Sequence, residues 1–436
     1  GRLALLSENY GRYIQKYSVS STQYGNHHIR RIKINEEIFS MVVIEGSFVL
    51  SHNEKQLRRC VDTFDTEIPA LSKNADFVTM RGRFDTPDRF VFLPVNDVRK
   101  FVAETVFNLD FPGRELLLKE LKTTVGFSNF GYGSWNKKKN IKDKILVQYN
   151  RNEVNSVVKN HIKAAPIRSS MLSLTTENPM AFYWSNTMFI KHFSRYFEKI
   201  REEEPQLEKF WSTVETISGK NTKELFSLFG GEVSLVLEPG PKGTFFTFPL
   251  GMIFVQVENI PEFRTILERI IEEYDIPVRE ITYGPVRYTY WTPSPQDGLQ
   301  PLYGFWGDLV FFGNSSSLLK MIVDQNAEDF SLLDNASIKA IDPGFKEKNN
   351  SVTYFNNVEL IKVLQKGLDL VEMALAIEDR ETASKVRIIL DEIINPLLEG
   401  VKMYDKSCTR SYFTPEMVII DSITNKTVVP LNKRMN

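Results

Sequence analysis

Five histidines (His27, His28, His52, His161, His192) and two cysteines are the residues with most to offer a reaction. Their spacing argues against each obvious use. His27 and His28 are adjacent in a strand-like segment, and neighbours on a strand point to opposite faces, so they do not readily share one metal. No carboxylate or cysteine stands near either at metal-ligand spacing in the sequence, and exposed or hydrogen-bonded structural histidines are the expectation. Cys60 falls on a Leu57, Cys60, Val61, Phe64 helical stripe and is expected to be a buried small hydrophobe. Cys408 lies near the C-terminus among strand-like residues. Two cysteines make no disulfide scaffold, and two free thiols are expected; a disulfide between them would staple the chain in an oxidising compartment.

Other polar clusters have plain structural accounts. Asn314-Ser315-Ser316-Ser317 could cradle an anion on free helix N–H groups, but Asn53-Glu54-Lys55-Gln56 occupies the same place in a second, similar segment without a serine run. Helix capping suits both, and capping is the expectation. Glu202-Glu203-Glu204 and Asp391-Glu392 sit in charged helical segments as solvated faces. G-x-S-x-G, H-E-x-x-H, G-x-x-x-x-G-K-[ST], C-x-x-C and G-x-G-x-x-G are all absent. No catalytic, cofactor-binding or metal-binding residue is assigned, and a non-enzyme without a cofactor is expected.

Two surface features are candidates for binding a partner. Lys137-Lys138-Lys139, with Lys142, Lys144 and Trp135, makes a basic hairpin tip that could meet headgroups or nucleic acid. Solvated lysines that discourage edge aggregation are the plainer account of it. Tyr288, Tyr290 and Trp291, followed by Pro293 and Pro295, crowd one loop, and such residues give large contact area at low entropic cost. Packing against the molecule's own sheet is their commoner role.

The elements that must position these residues are read from period and punctuation. Glu232–Glu238 alternates as a half-buried strand, with Pro239–Gly243 as its turn. A strand at Gly251–Val257, a helix at Pro261–Tyr274, a hairpin through Tyr283–Thr292, a strand at Gly304–Gly313 and a helix at Ser315–Val323 follow. Then come a strand (Val352–Phe355), helices (Val358–Ile377 and Glu381–Leu398) and strands at Gly400–Asp405, Cys408–Thr414 and Met417–Ser422. Hairpin-linked strands interrupted by helices predict an α+β fold with antiparallel sheets.

The chain also resembles itself about 260 residues apart. Gly46-Ser-Phe-Val-Leu-Ser-His-Asn53, then Leu57 and Val61, lines up with Gly307-Asp-Leu-Val-Phe-Phe-Gly-Asn314, then Leu318 and Ile322; Tyr24-Gly25 matches Tyr283-Gly284. Two tandem related repeats are expected, spanning 1–165 and 179–424, with a linker at 166–178 and a polar tail at 425–436. Leu3–Asn9 matches Ile253–Asn259, so the first repeat begins mid-copy, and an upstream extension of the native chain is expected. Residues 1–175 hold 27 Lys+Arg and 18 Asp+Glu, whereas the rest holds 27 and 37. Opposite charge on the two copies could draw them together, although drift of surface charge explains it equally well.

Bulk composition sets outer limits. With 436 residues, 42% hydrophobic and 25% charged, the chain can bury the cores of two or more domains. A net charge of −1 gives no general reason to expect nucleic acid. No stretch approaches the roughly 18 consecutive apolar residues of a membrane span.

The run Leu228–Leu237, then Ile253–Asn259, Tyr283-Gly284 and Tyr303–Asn314, each set before or after a helix, resembles an uncharacterised bacterial envelope family. That family is known only as a domain of unknown function with a duplicated α+β body. The resemblance implies an N-terminal membrane anchor and a body outside the cytoplasm, in the periplasm or envelope. The expectation is a scaffold or interaction module that binds a protein or itself. Its rival is a carrier or sensor holding a lipid or other apolar ligand between sheet and helices.

Overall fold

Two-residue turns containing glycine set the register of the N-terminal sheet. Strands β1 (Tyr17–Tyr24) and β2 (His27–Ile34) meet across Gly25, and β3 (Glu37–Ile44) and β4 (Ser47–Ser51) across Glu45-Gly46, both at positive φ. In this computed structural model the described residues are 17–34, 37–66, 68–107, 114–187, 194–240, 248–292, 300–378 and 380–427. The chain forms two compact units, Gly1–Asp85 and Thr86–Asn436. Every strand pair described is antiparallel, and the fold is α+β.

In the first unit the sheet has the order β1-β2-β3-β4. Helix α1 (Glu54–Phe64) covers one face, where Leu57 and Val61 pack with Ile29, Val42 and Ile44. The Asn53 side chain caps α1, and Glu54 in the first turn accepts from both Arg31 and Arg58. Those two guanidiniums, Arg31 foremost, hold the Glu54 carboxyl down at about 2. A short helix α2 (Ala75–Arg81) follows.

The second unit is built on a 13-stranded sheet. Its first strands are β5 (Arg89–Pro94), β6 (Phe127–Asn136) and β7 (Asn140–Tyr149), with helices α3 (Val95–Phe107) and α4 (Arg114–Thr123) between β5 and β6. After α5 (Ser156–Lys163) come β8 (Ala181–Ser185), helices α6 (Ser194–Glu203), α7 (Pro205–Ser218) and α8 (Thr222–Ser227), β9 (Phe229–Glu238), β10 (Leu250–Val257) and α9 (Ile260–Glu273). A four-strand ladder then runs β11 (Val278–Tyr283), β12 (Val286–Trp291), β13 (Leu302–Trp306) and β14 (Leu309–Gly313), capped by α10 (Ser316–Ala327). The chain closes with α11 (Ala336–Lys339), β15 (Ser351–Asn356), α12 (Asn357–Glu378), α13 (Arg380–Ile389), α14 (Asn395–Val401), β16 (Tyr404–Phe413) and β17 (Met417–Lys426). Strand order is β11-β12-β13-β14-β10-β9-β8-β15-β16-β17-β7-β6-β5.

Both faces of the middle of this sheet are covered. One core gathers Phe182, Trp184, Phe254, Phe311 and Tyr354 beneath Leu318, Leu319 and Phe345. On the other face Val233, Val255 and Val310 pack under Val214 of α7 and Phe263 and Ile266 of α9. A strand buried on both sides must be apolar at successive positions, as Val-Phe at 310–311 is.

The order of elements from β1 to β7 recurs from β11 to β17, as four strands, a helix, a 3-10 turn, a helix, a strand, helices and two strands. The Tyr24 hydroxyl donates to Asp62 at 2.9 Å, and the Tyr283 hydroxyl donates to Asp324 at 2.9 Å. Helix caps place Asn53 with Ser315, and hence Leu57 with Leu319 and Asp62 with Asp324. This is one residue off the sequence match of Asn53 with Asn314. Leu318 and Leu319, and Ile322 and Val323, are all buried, so apolar pattern alone does not set the register of α10.

Several expectations are corrected. Residues 166–178, expected as a linker, are packed into the second unit: Ile167 bridges Asn349, and Met171, Leu172, Leu174 and Thr175 are buried. The unit boundary lies at Asp85/Thr86 instead, because β6 and β7 pair onto β17 rather than with β1–β4. Gly400–Asp405 is no strand; α14 runs through Val401, and β16 begins at Tyr404. Glu381–Leu398 is interrupted by a π turn at Leu390–Ile394, ahead of Pro396, which has no N–H for the helix ladder. Cys60 is exposed, on the flank of α1, while Cys408 is buried, and both are free. The Leu3–Asn9 match, Pro293, Pro295 and most of the expected tail lie outside the described residues.

Candidate interaction surface

The residues singled out from sequence do not form one surface. Strand β12, with the aromatics, and β6–β7, with the lysines, sit near opposite edges of the 13-stranded sheet. Tyr288 is 1% exposed and belongs to the core, because its position on β12 faces Val286, Leu302 and Phe311. Its expected place on a binding surface is thus corrected. Tyr290 is half-buried, with its ring 6.4 Å from that of Tyr288, and Trp291 is exposed at the strand end. Lys137, Lys138 and Lys139 form the exposed β6–β7 turn, closed by Lys137 N–H donating to Asn140 O at 2.9 Å. Lys426 N–H, from the adjoining strand, donates to Lys139 O at 2.7 Å, and Lys142 lies 5.9 Å over the half-buried Trp135 ring.

The histidine reading needs one amendment. His27 and His28 do diverge, but His27 meets the Asp65 carboxylate at 3.1 Å, 38 residues on in sequence. Ser315 caps α10 by accepting from Leu318 N–H, and Asn314 instead ties β14 to Pro249 and Gly251.

A larger exposed apolar surface was not legible in the sequence. Helices α12 to α14 form a surface hairpin between β15 and β16, held down by buried Ile361, Ala383 and Leu390. Gln365 reaches Glu399 at 3.2 Å, and Arg387 bridges Glu372 and Asp391 at 3.7 and 3.6 Å. Along the second arm Ile389, Ile393, Leu397 and Val401 recur every fourth residue, between 44% and 63% exposed. The π turn lies within this stripe. Near the end of α12, Ile377 is 83% exposed. Asp391 and Glu399 beside the stripe are ion-paired with Arg387 and Lys402, and Glu392 is exposed.

Two cavities lie in the second unit. One, of about 520 Å³, lies at the base of the hairpin between Val401, Met403, Asn357, Tyr132, Asp143 and Lys426. Its polar groups satisfy one another: the Tyr132 hydroxyl donates to Asp143 at 2.7 Å, and Asn136 N–H donates to Asp88 at 2.6 Å. The other, of about 630 Å³, lies between α3 and α4 and is lined by Ala103, Leu118, Leu121 and Val125 with Arg99, Lys100 and Lys122. Arg99 Nη1 is buried there with no hydrogen-bond partner among the described residues. Phe101 and Phe107 stand exposed on the same helix, α3.

A group of titratable residues shielded from water lies elsewhere, on β9, β15 and β16, with β8 between the first two. Burial pushes the Glu238 carboxyl up to about 7, against the pull of the Thr176 hydroxyl that donates to it. The Tyr354 hydroxyl is buried without a partner among the described residues, and burial raises both it and the adjacent Cys408 thiol. A raised thiol is the reverse of what a thiolate nucleophile needs. Only a folded sheet could bring these positions together.

Comparison with known proteins adds one finding. A family model described as "Protein of unknown function (DUF3352)" matches residues 5–389, nearly the whole chain. No curated protein matches, and no solved structure matches.

Proposed function

We propose that this chain, which belongs to the DUF3352 family of proteins of unknown function, is a scaffold of the bacterial cell envelope. It holds a protein partner, or a second copy of itself, on its α12–α14 hairpin. The observation that carries this reading is the stripe of Ile389, Ile393, Leu397 and Val401. Burying a large aliphatic side chain is worth about 1.5–3 kcal/mol, so four in a row at half exposure leave a binding surface unfilled. An apolar seam bordered by paired charges suits a protein partner better than nucleic acid. Placement outside the cytoplasm rests on the resemblance, whose members typically carry an N-terminal membrane anchor.

The test is photo-crosslinking in cells of the source organism type, with a photoreactive residue at position 393 or 397. Discrete adducts are expected there and not from Lys385, an exposed polar position on the same arm. An Ile389→Asp/Leu397→Asp variant should lose at least about tenfold of the adduct formed at 393, the equivalent of about 1.4 kcal/mol. Equal labelling at 385 and 393 would remove the reading. A C-terminal alkaline phosphatase fusion, active only outside the cytoplasm, checks the location separately.

A second reading, a carrier of an amphiphile, is favoured by the α3–α4 cavity. Its apolar wall and unpaired Arg99 N–H suit an acyl chain with an anionic head. Native mass spectrometry showing co-purified lipid, lost in Leu121→Asp, would support it.

A further inference from the structure

The two four-strand ladders differ in what surrounds them. In the second unit β14 continues the sheet by pairing with β10, from Met252–Gly313 to Gln256–Leu309. The helix α9 that follows β10 then lies, with α7, over the face opposite α10, burying Val310 and Val255. In the first unit β4 is the last strand of its sheet among the described residues. Val43 and Phe48 are cross-strand neighbours, as are Met41 and Leu50, so all four point away from α1. Val43, Phe48 and Leu50 are exposed; Phe48, at 45%, holds the place on β4 that fully buried Val310 holds on β14.

We propose that the β4 edge and this face receive a polypeptide segment made of an apolar β-strand followed by an amphipathic helix, the chemistry of Leu250–Glu273. The strand adds to β4 through backbone hydrogen bonds, as β10 adds to β14, and the helix covers Val43, Phe48 and Leu50. An apolar strand such as β4, without a partner on that side among the described residues, is a pairing site in its own right, so a specific occupant also guards against indiscriminate association. This surface lies in the first unit and is independent of the α12–α14 stripe.

The probe is a fluorescent peptide of residues 250–274 of this chain, titrated into the full-length protein and followed by anisotropy. Saturable one-to-one binding is expected, weakened about tenfold or more by Phe48→Asp and by Leu50→Lys, and unchanged by Ile393→Asp. Far-UV circular dichroism confirms that both first-unit variants stay folded. The proposal is overturned if the peptide does not bind, if a scrambled peptide of the same composition binds equally, or if Phe48→Asp binds as wild type. It is also overturned if Phe48→Asp abolishes a concentration-dependent dimer, which makes a second copy the occupant. Binding to anionic phospholipid vesicles that Phe48→Asp removes would overturn it in favour of a membrane surface.

Discussion

Glu238 shows how a single side chain acquires its character from burial. In sequence it is the end of an alternating strand, indistinguishable from other solvated glutamates; in the fold its carboxyl is lifted from 4.5 to about 7. The folded protein therefore keeps a proton that the unfolded chain gives up across that window. Stability is fully present below about pH 4.5 and falls as pH rises to about 7, beyond which it is level. Glu238→Gln should flatten this dependence and raise stability at about pH 8 by about 2 kcal/mol. Calorimetry of both proteins at about pH 5 and about pH 8 checks it; parallel melting curves would show that Glu238 is ionised in the fold. Glu54 runs the opposite way, since Arg31 and Arg58 hold it low, and its contribution is lost only as pH falls toward about 2. Charge at Glu54 is plain from sequence, but its partner Arg31 lies 23 residues away, on strand β2.

Among the elements, glycine separates what turns need from what packing needs. A Cβ at Gly304, within β13, would stand 2.4 Å from the Phe311 ring and 2.6 Å from Arg287 O. Gly304→Ala is thus expected to cost about 2–3 kcal/mol through forced displacement of a core ring. Gly367, within α12, meets nothing within 4 Å, and Gly367→Ala should stabilise by about 0.5–1 kcal/mol through helix propensity. Urea denaturation of the two variants should give shifts of opposite sign; a loss at 367 would mean the hairpin needs a glycine there. Caps are readable because they are local: Asn53 and Ser315 each act within three residues. The sequence places the end of α14 too early because Gly400 reads as a helix stop, whereas the helix runs through it to Val401 and β16 begins at Tyr404.

At the scale of the molecule, contacts divide at Asp85/Thr86 rather than at the serine- and threonine-rich stretch near 170. Composition suggested a linker there, yet Met171 and Thr175 are sealed in the core, since threonines and short loops can be buried when their polar groups are bonded. With separate cores, the units are expected to unfold in two calorimetric transitions, the smaller belonging to residues 17–85. Proteolysis between residues 82 and 88 should leave a folded fragment starting there; a single transition with no such fragment would show the two cores to be coupled.

By itself the sequence determined the α+β class, most strand and helix positions from Glu232 onward, the helix caps and the parallel between Tyr24-Gly25 and Tyr283-Gly284. All of these follow from side-chain period and backbone preference over a few residues. Burial was decided only by tertiary structure. Phe48 and Val310 hold the same place on matching strands, yet one is half open and the other sealed, because α7 and α9 lie over only the second. Tyr288, with every mark of a surface aromatic, is a core residue because it lies in the cluster on the other face, with Leu318 and Leu319 of α10. An apolar side chain records that it avoids water; what covers it is set by elements far away in the chain.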